Sequence, residues 1–182
     1  MSQLSAVVVV ALVPVGIISF LYTLPLFSKK KRLRDFHYIK ILLISYVWAY
    51  IATLPLWLDG GTIGGLWLYF MEKFVFILAI TLPFDIRDLE IDSYTDLMTI
   101  PKRIGVKRTY ALCMALLAIG LGIQIYVAYP LMELVFPIGI VYVLTALAII
   151  ISRGKRSDLY YSGMLDGTLV LRGIVLWLGL SG

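Results

Sequence analysis

Six long stretches of this chain are apolar on every face, and that one feature decides most of what it can become. They lie near residues 4–27, 38–58, 64–84, 109–129, 130–152 and 160–180. A helix needs roughly 20 predominantly apolar residues to cross a bilayer, so each run suffices for one crossing. A transmembrane barrel would instead require shorter stretches that alternate apolar and polar side chains, and no such alternation is present. With 61% hydrophobic and only 15% charged residues, the chain has far more apolar material than a water-soluble core can hide. The expected fold is therefore all-α: a polytopic transmembrane bundle of about six helices in a single domain, 1–182.

The charges cluster where such helices end. The net charge of +5 could suggest nucleic acid, but its placement points to a lipid bilayer instead. Loops after the first, third and fifth runs carry Lys29 to Arg34, then Arg87, Lys102, Arg103, Lys107 and Arg108, then Arg153, Lys155 and Arg156. The alternate loops, Asp59 to Ile63 and the turn at Tyr129-Pro130, carry no Lys or Arg. Because positive residues are retained on the cytosolic side, both termini are expected outside and the basic loops in the cytosol, in a plasma (inner) membrane. The first run resembles a secretory signal in length, yet it has no cation before it and a dense basic run after it, which fits an inserted helix. Cys113 has no second cysteine to pair with and reads as a small buried hydrophobe.

Only one connection is long, residues 85–108, and it holds most of the chemistry. Asp85, Asp88 and Asp92 fall at i, i+3 and i+7, with Asp96 at i+11, so on a helix all four project from nearly one side. Stacked like charges repel unless a cation neutralises them. A hard divalent ion is the natural candidate, and Mg²⁺ takes one or two carboxylates while leaving positions for waters and phosphates. Lys102 and Arg103, with Lys107 and Arg108, follow closely enough to meet the same anion. The plainer alternative is a solvated cytosolic loop whose charge Arg87 partly offsets. A calcium loop is disfavoured, because the ligand spacing and mid-loop glycine are missing.

The stretch Asp85 to Gly105 resembles the second aspartate-rich motif of the UbiA-type prenyltransferases, roughly D-x-x-D-x-x-x-D followed by T-[LI]-P-x-x-[LIV]-G. Asp85, Asp88 and Asp92, then Thr99-Ile100-Pro101 and Ile104-Gly105, stand at that spacing. The resemblance implies that the chain corresponds to the last six of the family's nine helices. It implies Mg²⁺ on Asp85, Asp88 and Asp92, diphosphate on Lys102 or Arg103, and transfer of an isoprenyl group from an isoprenyl diphosphate to an aromatic or other lipophilic acceptor. Asp96 stands where the family usually has glycine, and nothing before residue 85 resembles the family's first motif, of the N-D-x-x-D type. A missing N-terminal half or a partner chain is therefore expected to supply that motif. The alternative is a non-catalytic multi-pass scaffold. The CDP-alcohol phosphotransferases also carry aspartates at a cytosolic helix end, but their pattern needs D-G and A-R pairs between the carboxylates, and Asp88-Leu89 is not followed that way.

Ionisable residues inside spans are costly and are functional candidates by default. Glu72 and Lys73 sit near the middle of the third run, and adjacent helix positions do not face each other, so each is expected to need its own partner. They either line the substrate cavity or pair with other helices. Asp166 and Arg172, six apart in the last run, are expected to be structural and to find partners on other helices. His37 is expected to be solvated. Gly163 and Gly167 form a small-x-x-x-small pair. Pro14, Pro83 and Pro137 are expected to kink or end helices, with Pro83 opening the acidic segment. Tryptophans and tyrosines near span ends read as interfacial anchors.

Overall fold

A computed structural model describes residues 2–24, 37–60, 62–89, 98–128, 132–154 and 156–181, and the secondary structure of the described residues is helical throughout. The elements are α1 (Ser2–Thr23), α2 (His37–Leu58), α3 (Ile63–Arg87), α4 (Ile100–Ile104), α5 (Val106–Ala128) and α6 (Met132–Ile151). One helical turn, α7 (Asp158–Tyr160), then passes through a π-helical turn, Tyr161–Leu165, into α8 (Asp166–Ser181). Three segments, Ile39–Leu58, Gly64–Arg87 and Val106–Val127, are long and apolar enough to cross a membrane. Ala6–Tyr22 and Val135–Ile151 are shorter apolar helices.

The central element is α3, which packs most extensively against α5 and α2. Its buried face carries Phe76, Ile77, Ala79, Ile80 and Leu82, and these meet Tyr110, Cys113 and Leu117 of α5 and Ile138, Tyr142 and Ile149 of α6. Burial of large aliphatic and aromatic groups at every turn of one helix makes it the axis around which the others organise. Gly120 permits the close approach of α5: a Cβ there would lie 3.0 Å from Tyr142 Oη and 3.2 Å from Val75 Cγ2.

Helix ends follow local chemistry. Thr62 starts α3 by accepting from the Gly65 amide with its hydroxyl. The expectation that Pro83 opens a new acidic helix is corrected: α3 runs through it to Arg87. Pro83 removes a single backbone donor, and Phe84, Asp85 and Ile86 still fit the helical turn that follows it. Asp85 is therefore on the last turns of α3. Pro14 and Pro137 likewise lie inside helices rather than ending them.

The T-I-P-x-x-I-G portion of the motif is a self-contained capped turn. Thr99 Oγ1 accepts from the Lys102 amide at 3.2 Å, Pro101 occupies the first turn, and Gly105 ends the helix with φ +86°. That backbone, with ψ 151°, lies in a region open essentially only to glycine. Threonine and proline at these offsets are thus favoured by the geometry, and glycine at the end is required by it.

Several tyrosines are not interfacial. Tyr110 and Tyr161 are buried, and both donate to the Ser152 carbonyl just beyond α6, at 3.1 and 3.4 Å. Tyr160 donates to the Ala148 carbonyl at 2.6 Å. Tyr110 and Tyr161 thus satisfy a carbonyl just past the helix end, and Tyr160 adds a second donor to the Ala148 carbonyl, which already accepts from the Ser152 amide at 3.0 Å.

Candidate functional site

Two polar constellations lie among the apolar helices. The first is the C-terminal end of α3. Asp85 and Asp88, at i and i+3, line a cavity of about 680 Å³ between α2, α3 and α8. Its polar lining also includes Lys40, Arg87, Thr81 and Asp166, while Ile41, Ile44, Trp48, Ile77, Ile80, Phe84, Leu169 and Val170 make the remainder apolar. The cavity is thus amphipathic along its length, charged where α3 ends and apolar toward Ile77 and Trp48. Asp85 is only 4% exposed, and Asp88 is more open.

Arg87 organises the rim. Its Nε donates to Asp88 Oδ1 at 2.7 Å, and its Nη1 lies 3.2 Å from Asp158 Oδ1 on α7. The guanidinium also lies over the rings of Phe84 and Tyr161, at 5.4 and 5.2 Å. A planar cation that bonds sideways to carboxylates and stacks on aromatic faces can do both at once. One Arg therefore ties the end of α3 to the start of the last helical segment.

The other residues expected at this site are distributed differently. Asp92 and Asp96 lie outside the described residues, as do Lys29 to Arg34. Lys102 and Arg103 are exposed on α4 and are not among the residues that line the cavity. Among the described residues, the cations that line it are Lys40 and Arg87, and Asp166 adds a third carboxylate. Lys40 was legible only as a lone cation in the first turn of an otherwise apolar helix. Among the described residues, no three His, Cys, Asp or Glu side chains converge as a ligand set.

The second constellation lies deeper along α3. Glu72, Lys73 and Arg172 are 1%, 7% and 3% exposed. Glu72 Oε2 accepts from Lys73 Nζ at 2.8 Å and from Arg172 Nη2, while Glu72 Oε1 accepts from the Tyr142 hydroxyl. Arg172 Nη2 also donates to Gln124 Oε1 at 3.1 Å. One carboxylate thus gathers α3, α6 and α8, and Gln124 adds α5. The expectation that Glu72 and Lys73 need separate partners is corrected. The four-methylene stem of lysine lets its ammonium fold back to the neighbouring carboxylate, where it also lies 4.2 Å from the centre of the Tyr69 ring. Neither residue lines the cavity that holds Asp85 and Asp88.

Cys113 is fully buried and free, packed in the core against α3. No family model, curated protein or solved structure matches this chain.

Proposed function

We propose that this chain is the membrane-embedded part of a UbiA-like prenyltransferase, its α3 carrying one carboxylate wall of a site for Mg²⁺ and an isoprenyl diphosphate. The observation that carries this reading is the position of Asp85 and Asp88 on the wall of a roomy cavity that turns apolar within two helical turns. Its volume falls within the roughly 300–1,000 Å³ usual for small-molecule sites. A ligand with an anionic head and a branched hydrocarbon tail matches that gradient of polarity.

The donor set fits the ion. Asp85 and Asp88 offer hard carboxylate oxygens, and Mg²⁺ commonly uses one or two of these with water and phosphate completing its shell. These two residues, with Asp92, would hold it. When bound, the ion supplies neutralisation of the charge that grows on the diphosphate as it leaves. Lys40 and Arg87 at the rim would contribute positive potential beside the same head group, and Lys102 and Arg103 on α4, outside the cavity lining, would add to it at longer range. The tail would lie against Ile77, Ile80, Trp48, Leu169 and Val170, which also exclude water from the reacting carbon. A lipophilic acceptor completes the reaction, and a partner segment carrying further carboxylates would form the facing wall.

The topology within this reading is six spans, with the α3 end and α4 on the cytosolic side. The distribution of Lys and Arg in alternate loops supports it.

Binding of farnesyl diphosphate to the purified chain in lipid nanodiscs, with and without Mg²⁺, tests the site. Asp85→Ala and Asp88→Ala are each expected to weaken Mg²⁺-dependent binding by about tenfold or more. Unchanged Mg²⁺-dependent affinity in both variants would overturn the assignment.

A further inference from the structure

The buried cluster around Glu72 is not electrically closed. A single carboxylate faces two cations, Lys73 and Arg172, which leaves a surplus of one positive charge among groups that are each at least nine-tenths buried. Its donors are in surplus as well. Arg172 spends Nη2 on Glu72 and Gln124, while its Nε and Nη1 are buried and make no hydrogen bond among the described residues. Burying an uncompensated cation and orphaned N–H groups costs several kcal/mol in a low-dielectric interior, so such an arrangement persists where something anionic meets it.

The surroundings limit what that can be. The Arg172 guanidinium lies over the Phe76 ring at 4.7 Å and near the Tyr142 ring at 5.6 Å, and Lys73 lies over Tyr69. These aromatic faces accept cations and offer no donors to a second negative charge. One surplus charge calls for one compensating charge. The cavity also comes close to this pair along both helices. Lys73 is four residues before Ile77 and therefore on the same face of α3, one turn beyond the apolar end of the cavity. On α8, Arg172 follows Leu169 of the same cavity wall by three residues.

We propose that Arg172 and Lys73 form a binding site for a monovalent anion inside the helix bundle, reached through the apolar end of the cavity. The shared chemistry is one negative charge that accepts from Arg172 Nε or Nη1. Either a chloride ion or the carboxylate of a short amphipathic acid lodged in the cavity supplies it. The anion's own partners, Arg172 and Lys73, are none of the residues assigned to the isoprenyl diphosphate site, although the way to them runs past Ile77 and Leu169 of the shared apolar wall.

Thermal unfolding of the purified chain in detergent, at constant ionic strength, tests it by replacing sodium gluconate stepwise with sodium chloride or with sodium hexanoate. The wild type is expected to show a saturable rise in melting temperature with at least one probe. Saturation by chloride alone identifies an inorganic ion. Saturation by hexanoate at markedly lower concentration identifies a carboxylate delivered along the cavity. Lys73→Met leaves the Glu72 and Arg172 pair neutral, so the half-saturating concentration is expected to rise about tenfold or more. No saturable response in the wild type, or an unaltered response in Lys73→Met, would overturn the proposal.

Discussion

Replacing Glu72 with leucine is the sharpest test of what holds the helices in register. The carboxylate receives bonds from Lys73, Arg172 and Tyr142, so its removal strands two buried cations and a phenol at once. Breaking a buried ion pair by deleting one partner costs about 3–5 kcal/mol, and an orphaned neutral donor adds about 1–3 kcal/mol. Against a total stability of about 5–15 kcal/mol, the combined loss of about 4–8 kcal/mol removes most of the stability of a chain in the lower half of that range. The triple variant Glu72→Leu/Lys73→Met/Arg172→Leu removes every charge together. Such apolar replacement of a whole ionic cluster is often neutral or stabilising, so the triple is expected to recover most of the loss. Fluorescence-detected size exclusion after a heating series, with gluconate as the only anion, reads both variants. A triple variant less stable than the single, or a Glu72→Leu protein within about 0.5 kcal/mol of wild type, would refute the reasoning.

Other outcomes follow from the same geometry. Gly105→Ala forces an alanine to φ +86° and should cost about 1–3 kcal/mol, read as a lower melting temperature. Thr99→Val removes the cap of α4 and should cost about 1 kcal/mol by the same measurement. Gly120→Leu drives a branched side chain toward Tyr142 Oη, already 3.0 Å from the Cβ position, and should destabilise by at least about 1–3 kcal/mol. Cys113 should resist maleimide in the native protein and react fully once denatured, because its thiol is enclosed in the core.

How much of this could be read from residues alone depends on the range over which each signal acts. The apolar runs announce helices because they continue far beyond the length of a buried strand, and α2, α3 and α5 fall where those runs lie. The capped turn at Thr99 to Gly105 is equally local: each residue's preference acts within one turn of itself. Pro83 misleads because a proline's effect depends on what packs around it, and α3 continues to Arg87. The carboxylates Asp85 and Asp88 were visible from spacing, whereas Lys40 and Asp166 join their cavity only through packing of α2 and α8. The bond between Glu72 and Arg172 spans 100 positions of sequence, and no periodicity carries information over that distance. The fold-back of Lys73 depends on rotamers, which are set by neighbours such as Tyr69.

The widened turn at Tyr161–Leu165 gives the last helix an unusual tolerance. A π turn holds one residue more than regular α geometry needs, so losing a residue there lets the backbone relax to ordinary winding while both flanks keep their phase. A one-codon deletion inside this stretch would leave Arg172 aimed at Glu72. The same deletion elsewhere in α8 before Arg172 would swing the guanidinium about 100° around the axis and out of the bundle. Length variation in this part of the chain can therefore be absorbed at one place without disturbing the ionic knot that joins four helices.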